Sequence, residues 1–110
     1  MSDKQSFSEL AHLIKQPYVY LDICNVNDHV VSVMRIEGEY PLHRHTKDEM
    51  YIVIEGEITV NFKKHKPVKL NKGESTVVKA YTEHYTASES PALVLVFKAK
   101  DYSVSPVPVE

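Results

Sequence analysis

His43 and His45 stand one residue apart, and Glu49 follows four positions later, in the stretch GEYPLHRHTKDEMYIVIEG over residues 38–56. In an extended strand residues two apart face the same side, so this spacing presents two imidazoles to one point. Imidazole nitrogen binds divalent zinc, iron, nickel, copper or manganese at about 2.0–2.2 Å, and a carboxylate adds an oxygen ligand while offsetting part of the metal's charge. His43, His45 and Glu49 are therefore candidate metal ligands, provided the chain around them is strand. Arg44, between the histidines, would point the other way and is expected at the surface.

The elements that must hold these residues can be read from the periodicity. Ser6 with Glu9 three positions later makes a capping-box pattern, and Phe7, Leu10, Leu13 and Ile14 then recur at helical spacing until Pro17. This predicts one short N-terminal helix over about 7–15. From residue 18 the period changes to two, with Val19, Leu21 and Ile23 alternating with Tyr18, Tyr20 and Asp22, and HVVSVMRI follows the turn-like NVND. Further strand candidates are MYIVI, ITVNF, PVKL, STVVK, HYTA and ALVLVF, joined by the short connectors EGE, KKHK, NKGE and SESP. Strands this short need several partners to bury a face, which predicts an all-β sandwich or closed double-sheet barrel. One domain is expected over 1–110, with the barrel over about 18–98 and an extended tail over 99–110. The tail, SVSPVPVE, can run along an edge or reach a second subunit, but its prolines cannot supply continuous ladder hydrogen bonds.

Composition narrows the function classes. The chain has 110 residues, 43% hydrophobic and 25% charged, as a globular protein does. Its 13 Lys and Arg against 15 Asp and Glu give a net charge of -2, and its longest basic cluster, Lys63–Lys66, is short, so no nucleic-acid partner is expected. No apolar run approaches membrane-spanning length and the polar start MSDKQSF is unlike a signal peptide, so no membrane partner is expected and the reading is cytoplasmic. The single cysteine, Cys24, lies in a strand-like run and is expected as a core thiol. His12, His29 and His65 have no partner at chelating spacing.

The framed pattern Gly38, His43, His45, Glu49, Gly56, followed by Gly73, Lys79, Tyr81, His84, Ser88, resembles the paired motifs of the cupin superfamily. Lys79, Tyr81 and Ser88 stand where that family usually has proline, glycine and asparagine. The resemblance implies a double-stranded β-helix, or jelly roll, commonly dimeric, with a divalent transition metal (manganese, iron, nickel, copper or zinc) held by His43, His45, Glu49 and His84. It also implies a small-molecule substrate or ligand. The favoured expectation is a metal-dependent, dioxygenase-like oxidoreductase acting on a small enol, diketone or carboxylic acid. A sugar-type isomerase or epimerase, or a non-catalytic binding or sensory module, is the alternative. Tyr51, Tyr81, Glu83 and Tyr85 flank the motifs and are the candidates for contacting a substrate or acting as its catalytic base, with nothing in the sequence to choose among them.

Overall fold

Ser6 accepts a hydrogen bond from the Glu9 amide at 3.2 Å and so starts helix α1, Phe7–Ala11. The computed structural model describes residues 4–101 and the backbone of 104–106. The helix is shorter than the periodicity predicts. After Ala11 the chain tightens into three-residue turns, the amides of Leu13 and Ile14 bonding to the carbonyls of Leu10 and Ala11 at 3.1 Å, and Leu13 is left exposed. Ala11 and Ile14 pack with Val33 and Leu93 on the outside of the sheet.

Among the described residues nine strands follow: β1 Leu21–Val26, β2 His29–Glu39, β3 His43–His45, β4 Glu49–Glu55, β5 Glu57–Phe62, β6 Val68–Asn71, β7 Ser75–Val78, β8 His84–Ala99 and β9 Val104–Pro106. All described pairings are antiparallel. The architecture is all-β, a double-stranded β-helix in which β8 belongs to both walls. Its first half pairs with β5 and its second half lies between β2 and β4, giving the order β1-β2-β8-β4-β7 across one wall.

The sequence predicts two strands, HYTA and ALVLVF, where the structure has one. SESP does not turn because the ladder has a gap there: β2 passes from Ser88 to Ala92 across a register shift, and β4 joins at Leu93. Pro91 falls in that gap, where its missing amide hydrogen costs no ladder bond. Alternation along β8 then turns Ala92, Val94, Val96 and Lys98 inward, and the first three join Met34, Ile36, Tyr51, Val53 and Ile58 in the interior core.

The described part of the tail adds a strand within the same chain. β9 lies along β3, with His43 opposite Pro106 and His45 opposite Val104. Residues 102, 103 and 107–110 of the expected tail lie outside the described residues. Cys24 is half-buried beside the β1 bulge. Among the described residues no helix is long and apolar enough to cross a membrane.

Gly56, in the tight β4–β5 connection, has φ of 81°, and a Cβ there would meet Ala92 Cβ at 3.1 Å and the Pro91 carbonyl oxygen at 3.2 Å. Gly38 has φ of 73° with open space around it. Both would strain an L side chain, but only Gly56 would also clash. Gly56→Ala is expected to destabilise by about 2–3 kcal/mol and Gly38→Ala by about 1 kcal/mol, read from chemical denaturation midpoints.

Candidate metal centre

Strand β3 has the burial pattern in, out, in, so His43 and His45 face the barrel interior and Arg44 faces solvent. His84, the first residue of β8, pairs directly across from His43. The three rings converge, with centroids 4.4 Å apart for His43 and His84, 4.7 Å for His43 and His45, and 5.0 Å for His45 and His84. One nitrogen from each ring lies within 4.8 Å of the others. Two ligands about 2.1 Å from a common ion can be at most about 4.2 Å apart, so small side-chain adjustments close the site on a first-row transition metal.

Two of the rings are held in the tautomer a metal needs. His43 Nδ1 lies 2.8 Å from the Pro41 carbonyl oxygen and His84 Nδ1 lies 2.7 Å from that of Thr82. A carbonyl can only accept, so Nδ1 carries the proton on each ring and Nε2 keeps its lone pair. His84 Nε2 is buried with no hydrogen-bond partner among the described residues. A buried lone pair without a donor is a cost that a cation would remove, so the donor set fits a divalent transition metal.

Glu49 opens β4 and is only 2% exposed, with Oε2 2.7 Å from His45 Nδ1. It touches the cluster through His45 and is not one of the three residues whose ligand atoms fall within 4.8 Å. Burial alone would push its carboxyl up, but the His45 hydrogen bond and charge, with a Tyr51 hydrogen bond, outweigh it and hold the group below the usual range. Burial pushes His43 below its ordinary value and His84 down to about 4, the Pro41 and Thr82 carbonyls opposing in part.

The turn that delivers His84 is built without the usual proline and glycine. Tyr81 takes φ of 63°, a left-handed conformation that glycine adopts without steric cost, and its amide donates to the His45 carbonyl at 2.7 Å. Asp48 accepts from the Ala80 amide at 2.8 Å and from Lys79 Nζ at 3.2 Å, and the Thr82 amide bonds back to Lys79. Hydrogen bonds to β3 and to the loop after it therefore fix the loop before His84.

Beside the cluster lies a cavity of about 50 Å³ lined by Tyr18, Tyr20, Met34, Tyr40, His43, His45, Tyr51 and Thr86. Tyr18 also has a positive φ, 63°, and is fixed by its amide to the Arg35 carbonyl at 2.8 Å and by its hydroxyl to the Gly38 carbonyl at 2.9 Å. Its ring stands 4.8 Å from Tyr40, whose ring meets His43 edge-on at 5.0 Å. Of the four residues expected to contact a substrate, Tyr51 lines this cavity. Tyr81 is 65% exposed, Glu83 pairs with Lys63 at 3.5 Å, and Tyr85 lines a different groove on the outer phase of β8. Sequence reasoning did not single out Tyr18 and Tyr20 as wall residues, nor Lys98. Lys98 is buried with Nζ 3.0 Å from the Tyr20 ring centroid, and its inward phase after Ala92, Val94 and Val96 was the available signal.

A family model described as "Cupin domain" matches residues 30–98. An uncharacterized Bacillus subtilis (strain 168) protein, YdbB, is 35% identical over 89 residues, 80% of this chain and 79% of that protein. Among solved structures, a cupin-2 domain containing protein from Shewanella frigidimarina NCIMB 400 superposes with a TM-score of 0.82 at 25% identity, covering 87% of this chain and 94% of that one. The hydroquinone 1,2-dioxygenase PnpCD, in complex with Cd2+ and 4-hydroxybenzonitrile, gives a TM-score of 0.74 at 25% identity, covering 86% and 71%.

Because His84 has a folded pKa of about 4 against an ordinary 6.5, the native state prefers it neutral. That contribution to stability is full above about pH 6.5 and is lost as pH falls through about 4, where the unfolded chain binds a proton the folded chain resists. Metal-free protein is expected to lose on the order of 3 kcal/mol from this group over that window, as a falling urea midpoint. His84→Gln should flatten the fall.

Proposed function

The chain belongs to the cupin domain family, and from that premise we propose that it is a metal-dependent oxidoreductase of the dioxygenase type, acting on a small enol, diketone or carboxylic acid. The observation that carries the reading is the convergence of three buried histidines, with an unpartnered His84 Nε2, beside a cavity walled by tyrosines. In this reading His43, His45 and His84 hold a divalent transition metal and Glu49 supplies the fourth ligand. Such an ion, when bound, supplies a Lewis acid for an enol or carboxyl oxygen and, if redox-active, electrons for dioxygen.

The remaining work falls to the chain. The Pro41 and Thr82 carbonyls restrain His43 and His84 with Nε2 free for an ion, so that only small side-chain adjustments are needed to meet one. Tyr18, tied to the Gly38 carbonyl, is a fixed wall, and the buried Met34 and Tyr51 keep that side of the cavity free of bulk water. The phenol rings give a flat ligand apolar surface and hydroxyls to bond with. The similarity to a hydroquinone 1,2-dioxygenase supports an oxidisable, enol-like substrate.

The size of the cavity favours a second reading. About 50 Å³ holds a few water-sized groups, so a larger organic molecule must displace the half-buried Tyr18, Tyr20 or Tyr40. A module that binds the metal and only a ligand small enough for this cavity, without turnover, needs no such movement.

Protein purified without chelator or affinity tag is expected to carry about one equivalent of a first-row transition metal per chain. His43→Ala and His84→Ala should each lower this to below about a tenth while keeping a β-rich circular dichroism spectrum. Oxygen uptake by the loaded parent with small enolic or phenolic acids supports the oxidoreductase. Full metal content with no uptake across that panel leaves the binding module, and no metal after incubation with iron, manganese, nickel, copper and zinc refutes both metal-based forms.

A further inference from the structure

The register of the sheet places one charged pair inside the barrel. Reading across the wall, Val30 on β2 stands opposite Lys98 on β8, Lys98 opposite Glu49 on β4, and Glu49 opposite Val78 on β7. Directly opposed residues in antiparallel strands project to the same face. Here all four are buried, with Glu49 2% and Lys98 4% exposed. An acid and a base thus sit side by side in a row otherwise made of valine, and the acid is the one that touches His45.

Lys98 is anchored on this side of the barrel. Its Nζ stands 3.0 Å from the centroid of Tyr20, a wall of the cavity; burial lowers its pKa from the ordinary lysine value, and the carboxylates of Glu49 and Asp22 oppose that shift in part and favour its ammonium form. Asp22 also accepts a 2.6 Å hydrogen bond from Ser32, so part of its charge is already engaged.

We propose that Lys98 is an internal competitor of the metal for the Glu49 carboxylate, and so sets how tightly the site holds a divalent ion. The inference rests on the reading of Glu49 as a ligand. With no ion bound, the buried carboxylate is stabilised by the ammonium beside it and by His45. A bound dication draws on the same carboxylate and gains less, because part of that charge is already compensated. Lys98 is a positioning residue that acts through Glu49 and does not itself line the cavity. Its removal leaves Glu49 buried without its cross-strand cation, a state that a metal relieves.

Metal-free parent, Lys98→Met, Glu49→Gln and the double variant are titrated with Co2+ against a chromophoric chelator at neutral pH and fixed ionic strength, with circular dichroism to confirm folding. Lys98→Gln is titrated alongside as a second neutral variant in case the methionine variant does not fold. Lys98→Met is expected to bind Co2+ about tenfold more tightly than the parent, and Glu49→Gln more weakly with a changed visible spectrum. In the Glu49→Gln background, Lys98→Met should change affinity by less than about threefold, because the contested carboxylate is gone. Unchanged or weaker binding by folded Lys98 variants overturns the proposal, as does an equal gain in both backgrounds, which would mean simple repulsion between two cations. Failure of the parent to bind Co2+ refutes the metal site itself and the role of Lys98 with it. A parent that binds with indifferent Lys98 variants refutes only the latter.

Discussion

Every wall of this barrel depends on the backbone hydrogen bonds of one strand. β8 runs sixteen residues and pairs in turn with β3, β5, β2 and β4, so the two sheets are halves of one hydrogen-bonded surface. Buried amides and carbonyls must be paired, and a strand shared between walls pairs them without leaving an edge inside the molecule. The chemistry follows from that arrangement. β8 begins with His84 opposite His43 and, one residue before its end, places Lys98 opposite Glu49, so a single extended segment contributes to the histidine cluster at one end and sets a cation beside its buried carboxylate at the other.

A chain this small gives up a good deal of core to polar groups. His43, His45, Glu49, His84 and Lys98 are all buried, in a barrel whose remaining interior is mostly valine, isoleucine and alanine. Such groups persist inside a protein when each has an acceptor, a donor or an opposite charge. Pro41 and Thr82 carbonyls serve two histidines, Glu49 serves the third, and the Tyr20 ring with two carboxylates serves the lysine. His84 Nε2 is left over. An unsatisfied lone pair among buried groups that, in the described residues, are otherwise largely compensated is the mark of a site arranged around something external to the chain.

The sequence displayed local rules well and the sharing of strands poorly. The two-residue spacing of His43 and His45 told which way both rings face, because strand alternation is fixed by the backbone. The Ser6 cap told where the helix starts for the same kind of reason. The connection through SESP was misread because turn chemistry is a local preference, whereas the continuity of β8 is set by a ladder gap made by β2 and β4, distant in sequence. Tyr81 in a left-handed conformation was equally hidden: the bonds to His45 and Asp48 that hold it come from elsewhere in the fold. Lys98 sat at the end of a hydrophobic run, where a charge reads as the edge of a strand. The alternation after Ala92, Val94 and Val96 hints at its inward phase, and the register places it beside Glu49.

The lateness of β8 also governs how the protein is born. β2 is complete at Glu39, and its main partner starts at His84. A ribosome adding roughly 5–20 residues per second takes seconds to cover that interval. During that time the apolar faces of β2, β4 and β5 have no lid, and the imidazole pair on β3 has no third member. The nascent chain therefore cannot close its barrel in stages from the N-terminus. It must wait for β8 to emerge from the exit tunnel, keeping its exposed strands away from neighbouring chains, and any ion it acquires at the three-histidine cluster is acquired only after His84 has emerged.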